Sequence, residues 1–162
     1  VGIDLSEEML KVAQQKIERF SIKPNIRLLC EDAENLSLSS NTFDIITISF
    51  GIRNFENIVN GLSECHRILK EGGSLFIMEF STPKHKVFNV LYRIYSKHIL
   101  PLIGQVISND DKAYKYLPES IVEFNREHEF TELLLNNGFD SCISISLSNG
   151  IAHIYIGVKS KM

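Results

Sequence analysis

Two adjacent glycines between a helical pattern and an apolar strand constrain the fold of this chain more than any other feature. One face of the segment before Gly72-Gly73 carries apolar residues at helical spacing: Ile58, Leu62, Cys65 and Leu69. Glycine is a common helix terminator, so the pair is predicted to end this helix. Residues 74–80 then form an apolar strand whose carboxyl end carries Glu79. A helix that turns directly into a buried strand is typical of α/β proteins.

The preceding segments repeat this alternation. Residues 1–4 and 26–30 are predicted as strands, and Ser6 between them is placed to cap a helix. The apolar positions of that helix are Met9, Leu10, Ala13, Ile17 and Phe20. Residues 43–50 form a nearly continuous apolar run, which is typical of a central parallel strand covered on both faces. The order strand, helix, strand, strand, helix, strand predicts a parallel sheet with helices packed on it.

The pattern changes after Pro83. Residues 84–125 show helical signals interrupted by Pro101 and Pro118, and no strand signal. They are predicted to form an inserted helical cap within a single domain of residues 1–162. Because the cap is amphipathic, its default role is to pack on the sheet.

The C-terminal segment is predicted to add one helix and two strands. The helix starts at Phe130 and ends at Asn137-Gly138. Residues 143–147 alternate apolar side chains with serine, and residues 151–158 are more continuously apolar. The intervening Ser148-Asn149-Gly150 predicts a turn, so the two strands should form an antiparallel hairpin.

Composition excludes several classes of function. The net charge of -3 and the pI near 6.0 argue against a nucleic-acid partner, which needs a clustered excess of Lys and Arg. Three widely spaced cysteines without a C-x-x-C pair favour neither a disulfide framework nor a metal site. We therefore expect a protein of the reducing cytoplasm, without a bound metal. The sequence contains no uncharged apolar run of 18 or more residues, so no membrane span is predicted.

Polar side chains stand at the carboxyl ends of the predicted strands, where α/β sheets bind ligands. Asp4 ends the first strand, Asp32-Ala33 follows the second and Ser49 ends the third. Each also has an ordinary structural interpretation: a helix cap for Asp4, a solvated loop for Asp32 and a backbone hydrogen bond for Ser49. Arg53-Asn54 follows a glycine in the next loop, where a guanidinium could stabilise an anion or orient water. Alternatively, Arg53 pairs with Glu56 or caps the next helix.

Several segments resemble one enzyme family, the C-methyltransferases of menaquinone and ubiquinone biosynthesis. The most specific are Phe50-Gly-Ile-Arg-Asn54, Glu79-Phe-Ser-Thr-Pro83 and Tyr116-Leu-Pro-Glu-Ser120. Less specific ones are the entry at residues 1–10, Asn41-Thr-Phe-Asp44, Gly72-Gly73 and Gly150-Ile-Ala152. The resemblance implies a class I S-adenosylmethionine-dependent methyltransferase sheet, similar to a Rossmann fold, with the C-terminal hairpin and the helical cap added.

The resemblance also implies roles for the polar residues. Asp4 would hold the ribose hydroxyls of S-adenosylmethionine, Asp32 and Ala33 the adenine, and Ser49 would face the methionine end. Arg53 and Asn54 would act on a polyprenyl quinol, most closely demethylmenaquinol. A base must take a proton from the quinol, and the candidates are His85, Tyr92, Tyr95, Tyr114, Tyr116 or a water held by Arg53. Glu79 could instead simply pair with Arg67 or Lys84. The polyprenyl tail suggests peripheral membrane contact near the cap.

The sequence departs from the family at its beginning and at one turn. Residues 1–4 match the second strand of the family sheet, so the first strand and its Gly-rich loop are expected to be lacking. Asn125-Arg126 stands where the family usually has proline. The alternatives are an incomplete enzyme, a truncated non-catalytic domain that binds a partner or quinone, or a methyltransferase for another phenolic acceptor. We expect the 162-residue chain alone to be poorly folded, aggregated or oligomeric, and inactive.

Overall fold

The computed structural model describes residues 1–20, 25–83, 89–90, 92, 120–121, 124 and 130–161. The elements up to the middle of the chain are β1 (Gly2–Asp4), α1 (Glu7–Arg19), β2 (Leu28–Cys30), β3 (Phe43–Ser49), a 3₁₀ helix (Ile52–Asn54), α2 (Ile58–Ile68) and β4 (Leu69–Phe80). The C-terminal elements are α3 (Phe130–Asn136), β5 (Phe139–Leu147), a second 3₁₀ helix (Ser148–Gly150) and β6 (Ala152–Lys159). The predicted cap at 84–125 lies almost entirely outside the described residues.

The strands form two sheets. β1 pairs in parallel with β2 in the first sheet. The second sheet has the order β3-β4-β6-β5, in which β3 and β4 are parallel and β6 runs antiparallel to both of its neighbours. The alternation of parallel strands with helices and the antiparallel C-terminal hairpin are therefore confirmed.

The prediction that residues 43–50 form a central strand with both faces covered is wrong for the structure described. Among the described strands, β3 pairs only with β4 and is an edge strand of its sheet, while β1 lies in the other sheet. Ile46 and Ile48 pack against the core, but Ile45 on the opposite face is 61% exposed. Ile143 on the same face of β5 is also exposed. The apolar run thus identified the strand correctly but not which of its faces are buried, because burial depends on what packs against each face.

The hydrophobic core lies between one face of the larger sheet and two helices. Leu75 and Ile77 of β4 are fully buried there, against Leu62 and Cys65 of α2 and Leu134 of α3. Burial raises the pKa of the Cys65 thiol to about 12, so this cysteine is an inert core residue. The carboxyl end of β4 is fixed to this core, which holds the neighbouring loop of β3 in place.

Gly72-Gly73 does not end α2, contrary to the prediction. The helix ends at Ile68, and Leu69 is already extended and paired with Phe43. The next pair is Ile45 with Ser74, so the intervening residues of β4 bulge out of the ladder. Gly72 has a φ of +74°, and a Cβ on Gly73 would lie 2.8 Å from the Lys70 carbonyl oxygen. The two glycines therefore serve a bulge within the strand.

A cation from the C-terminal strand caps the end of α2 instead. The Nζ atom of Lys159 donates to the carbonyl oxygens of His66 and Leu69, both at 2.8 Å. These carbonyls lie at the helix end, where no helical partner exists and a positive charge is favourable. The C-terminal end of α2 is thus capped by a residue far away in the sequence.

The prediction for α1 is confirmed at its start and only partly along its face. The Ser6 hydroxyl accepts a hydrogen bond from the Met9 N–H at 3.3 Å, which is an N-cap. Leu10, Ala13 and Ile17 are half-buried. Met9 and Phe20 are 56% and 67% exposed, so the apolar face is incompletely covered.

Candidate functional site

The first part of the site is the carboxyl edge of the β1–β2 pair. Asp4 pairs with Cys30 of β2, and Asp32 lies only two residues after Cys30. Neighbouring strands lie about 4.8 Å apart, which brings both exits to the same edge. Asp4 and Asp32 are exposed and Ala33 is half-buried. The structure therefore brings together the residues that the sequence placed at these two strand exits.

Asp4 shapes the turn into α1 but is not the cap of that helix. Its Oδ1 accepts from the Ser6 N–H at 2.8 Å, while Ser6 itself caps the helix. No hydrogen-bond partner of Asp4 Oδ2 occurs among the described residues. A carboxylate oxygen that is fixed in position and exposed can accept hydrogen bonds from a ligand hydroxyl.

Asp32 begins a turn that a neighbouring carboxylate fastens to α2. Asp32 Oδ1 accepts from the Glu34 N–H at 2.9 Å. The Glu34 carboxylate in turn accepts from the Glu56 N–H at 2.7 Å and from the Asn57 N–H at 3.0 Å. Because Asn57 is the N-cap of α2, these bonds lie at the positive end of that helix. Sequence analysis missed Glu34, since nothing local indicates partners 22 and 23 residues away.

A second set of contacts holds the same segment against α2. Glu64 Oε2 accepts from the Leu36 N–H at 2.8 Å. Arg67 donates to the Leu36 and Leu38 carbonyl oxygens at 3.0 and 2.7 Å, and it also pairs with Glu64. Hydrogen bonding from Arg67 lowers the pKa of the Glu64 carboxyl, in spite of partial burial. The segment after β2 therefore bridges the small sheet and the large one.

The third strand exit turns sharply after Ser49. Ser49 is exposed and pairs with Met78. The next residue, Phe50, has a φ of +56°, a left-handed conformation that is rare for a bulky side chain. The Phe50 N–H donates to the Met78 carbonyl at 2.8 Å, and its ring stacks on Phe80 at a centroid distance of 4.3 Å. This turn places the 3₁₀ helix Ile52–Asn54 just beyond the carboxyl end of β3.

Arg53 is mostly buried and forms an ion pair with Glu79. Its Nη1 atom lies 2.7 Å from Glu79 Oε1, and the two side chains are 10% and 0% exposed. Nη1 also donates to the Phe50 carbonyl at 2.6 Å. The Arg53 Nε–H is buried and has no hydrogen-bond partner among the described residues. Asn54 is exposed at the end of the same 3₁₀ helix.

The ordinary pairings that the sequence suggested for these side chains are wrong. Arg53 pairs neither with Glu56 nor as a helix cap, and Glu79 does not pair with Arg67, whose partner is Glu64. Lys84, the other suggested partner of Glu79, lies outside the described residues. Local spacing favoured near neighbours, whereas parallel pairing of β3 with β4 brings the two strand ends together.

Beside Glu79, Tyr155 on β6 lies on the same face of the sheet. Burial, and secondly the charge of Glu79, raise the pKa of the Tyr155 phenol. Among the candidate bases, Tyr92 is described and half-buried, whereas His85, Tyr95, Tyr114 and Tyr116 lie outside the described residues. No group of three or more His, Cys, Asp or Glu side chains suited to a metal ion occurs in the part of the chain that the structure describes.

Comparison with solved structures identifies the fold. A SAM-dependent methyltransferase from Aquifex aeolicus superposes with a TM-score of 0.65 at 18% identity, covering 96% of this chain and 66% of that one. The CMeT domain of the citrinin polyketide synthase superposes with a TM-score of 0.61 at 15% identity, covering 99% of this chain and 38% of that one. The fold is that of S-adenosylmethionine-dependent methyltransferases, as expected.

Sequence comparison identifies the family. The profile of the ubiE/COQ5 methyltransferase family matches residues 1–159, and the chain belongs to that family. It is 38% identical over 158 residues to a demethylmenaquinone methyltransferase of Porphyromonas gingivalis, covering 98% of this chain and 64% of that protein. It is 40% identical over 156 residues to the mitochondrial 2-methoxy-6-polyprenyl-1,4-benzoquinol methylase of Bos taurus, covering 96% and 47%. The chain thus spans about half to two thirds of these relatives.

Proposed function

We propose that the protein transfers a methyl group from S-adenosylmethionine to a ring carbon of a polyprenyl quinol, with demethylmenaquinol as the acceptor. The observation that supports the proposal is the placement of polar residues at strand exits, with Asp4 and Asp32 at one edge of the β1–β2 pair and Ser49 at the end of β3, just before the loop of Arg53. Ligands of open α/β sheets bind at such carboxyl ends. Family membership and the names of the relatives supply the reaction class and the kind of acceptor.

The residues present fit S-adenosylmethionine. Asp4 offers an oriented carboxylate with one oxygen available for the ribose hydroxyls. Asp32 and Ala33 lie at the adjacent exit and would hold the adenine, and the exposed Ser49 would face the methionine end. S-adenosylmethionine supplies an electrophilic methyl group on its sulfonium. The task of the protein is to hold the two reactants at the correct distance and to exclude water.

Arg53 and Asn54 would act on the acceptor. Carbon methylation requires that a quinol hydroxyl lose its proton, so that electron density reaches the ring carbon. That carbon forms a bond to the methyl group while the sulfur–methyl bond breaks, and loss of the ring C–H proton restores the aromatic ring. A guanidinium beside the ring oxygen stabilises the anion that forms. The candidates for the proton acceptor that involve described residues are Tyr92 and a water held by Arg53.

A second acceptor class has support of its own. The mitochondrial relatives, named as methylases of a 2-methoxy-6-polyprenyl-1,4-benzoquinol, are 40% identical to this chain, close to the 38% for the demethylmenaquinone enzymes. Both acceptors are hydroquinones with an apolar tail. Assays with each acceptor in turn, at equal tail length, distinguish the naphthoquinol from the benzoquinol reaction.

The apolar tail also motivates a location for the reaction. None of the described helices is long and apolar enough to cross a bilayer. The acceptor, however, would reside in a membrane because of its tail. The proposal therefore includes a cytoplasmic protein in peripheral contact with the membrane, with homo-oligomer formation open to measurement.

Calorimetry on the full-length native protein tests the cofactor site. Asp4→Ala should weaken S-adenosylmethionine binding by roughly 1.5 to 3 kcal/mol, the value of hydrogen bonds to a charged group. This corresponds to about a tenfold to 150-fold higher Kd. Asp44→Ala is the matched control, because Asp44 is an exposed carboxylate paired with Lys70 near the other end of β3. An unchanged Kd in Asp4→Ala would contradict the assignment.

A further inference from the structure

Glu79 is a charged side chain with no exposed surface in the core of the described protein. It lies at the carboxyl end of β4 on the same face as Leu75 and Ile77, and it is 0% exposed. Removing a carboxylate from water is costly unless several donors replace the lost solvation. Three donors approach it: Arg53 Nη1 at 2.7 Å, the Phe80 N–H at 2.9 Å and the Arg53 N–H at 3.4 Å. Two of the three come from Arg53.

This carboxylate fixes both ends of Arg53. One of its oxygens faces the backbone N–H of Arg53, and the other binds the guanidinium. The same Nη1 atom donates to the Phe50 carbonyl at 2.6 Å, and the guanidinium carbon lies 5.8 Å from the Phe80 ring centroid. The arginine side chain is therefore folded back on its own loop. Its position is determined by Glu79 and by the left-handed turn at Phe50.

Stability alone does not account for such a pair. A buried ion pair recovers little more than its desolvation cost, and apolar residues of similar volume often serve as well. This pair lies at a strand exit, where the fold binds its ligands. It also leaves the buried Nε–H of Arg53 without a partner among the described residues. A buried donor without a partner is costly unless a ligand or water completes it.

We infer that Glu79 is a positioning residue, which holds the Arg53 guanidinium so that its Nε–H donates to the ring oxygen of the bound quinol. Nη1 is occupied by Glu79 and Phe50, so it anchors the side chain, whereas Nε–H is the nitrogen of this side chain that is buried without a partner among the described residues. The anionic oxygen that forms before methyl transfer matches this donor in charge. The role presupposes the proposed quinol methylation and adds a residue to its acceptor side.

The test uses the full-length native protein, demethylmenaquinol and S-adenosylmethionine. Glu79→Gln keeps the size of the side chain but removes its charge. We expect kcat to fall by about 100-fold, the scale for misplacing a reacting group by about 1 Å. The Kd of S-adenosylmethionine should stay within about twofold, because the hydrogen bonds of Glu79 among the described residues go to Arg53 and Phe80 and not to a proposed cofactor residue. Asp44→Asn, which removes the carboxylate of the Asp44–Lys70 pair near the other end of β3, is the control and should leave kcat nearly unchanged.

Non-additivity separates positioning from general support of the fold. Arg53→Gln alone should lower kcat by about 100-fold to 1,000-fold, the range for one lost oxyanion donor. Adding Glu79→Gln to it should lower kcat no further, because the two residues act as one unit. If the two losses multiplied, and the melting temperature and cofactor affinity fell in parallel, Glu79 would be a structural residue and the inference would be overturned.

A variant with an apolar pair keeps the test informative if the single variants fold poorly. Arg53→Met combined with Glu79→Met removes both charges together, which a buried pair commonly tolerates. The double variant should fold and bind S-adenosylmethionine within about twofold of the native affinity, yet methylate no quinol. Retained turnover would refute the role of the pair. Failure of the unmodified protein to methylate any quinol would refute the proposed function instead, so the two failures are distinguishable.

Discussion

Gly61 of α2 makes the loop of Arg53 sensitive to a single added methyl group. Gly61 is buried, and a Cβ placed on it would overlap the Cε2 and Cδ2 atoms of the Phe55 ring. Phe55 directly follows the 3₁₀ helix Ile52–Asn54, and its N–H donates to the Ile52 carbonyl at 3.2 Å. The ring is partly buried against the core, so moving it away from Gly61 disturbs that packing. Gly61→Ala should therefore displace the loop that holds Arg53.

The expected magnitude follows from two opposing effects. Alanine is a better helix former than glycine and would contribute about 0.5 to 1 kcal/mol to folding. Overpacking a filled site costs about 1 to 3 kcal/mol. The free energy of unfolding should therefore fall by up to about 2.5 kcal/mol, measured by urea denaturation with an unchanged m-value. Turnover should fall more strongly, by up to about 100-fold, because the reacting groups are misplaced.

Two further variants of the full-length protein control this experiment. Ser63→Ala places alanine at an exposed position of the same helix and should be neutral or slightly stabilising. Phe55→Leu combined with Gly61→Ala removes part of the overlap, so the double variant should lose less than the sum of the two single losses. A Gly61→Ala protein with raised stability and native turnover would refute the reasoning.

Two other predictions concern the bridge to the small sheet and the response to pH. Glu34→Ala removes two hydrogen bonds to the N-terminus of α2, so calorimetry should show about a tenfold weaker affinity for S-adenosylmethionine. Glu34→Gln should lose less affinity than Glu34→Ala. Equal affinity in the native protein and in both variants would show that the bridge does not support the cofactor site. Burial, and secondly the charge of Lys159, lower the pKa of His66 below its usual 6.5, so the unfolded chain binds more protons below that pH. The contribution of His66 to the free energy of unfolding is thus complete above about pH 6.5 and is lost as the pH falls toward the lowered pKa. Urea denaturation at pH 7.5 and 5.5 should therefore show a smaller loss of stability between the two pH values in His66→Gln than in the native protein. The same loss in both proteins would contradict the prediction.

Much of the fold could be predicted because its signals are local. The Ser6 cap, the end of α3 near Gly138 and the turn at Ser148-Asn149-Gly150 each depend on residues within a few positions of one another. The positions of Asp4 and Ser49 at strand ends follow from strand boundaries in the same way. Local patterns of this kind are sufficient to order the elements and to find the edge at which sheets of this type bind ligands.

The contacts that organise the site could not be predicted from spacing. Arg53 and Glu79 are 26 residues apart, and Lys159 reaches the His66 carbonyl across 93 residues. In the sequence, near neighbours such as Glu56 are equally plausible ion-pair partners of Arg53. Only the pairing of β3 with β4 shows that the partner is Glu79. Gly72-Gly73 was misinterpreted for a related reason, since a glycine pair serves a helix end or a strand bulge equally well.

Methyl transfer by the full-length native protein tests the central claim most directly. The protein is incubated with S-adenosylmethionine carrying a labelled methyl group and with demethylmenaquinol under reducing conditions, and the product is analysed by mass spectrometry and NMR. The account predicts one labelled methyl group on a ring carbon, formed by the native protein and by Asp44→Asn at similar rates, and far more slowly by Arg53→Gln. A labelled methyl on a hydroxyl oxygen, or no transfer to either quinol class by the native protein, would contradict it.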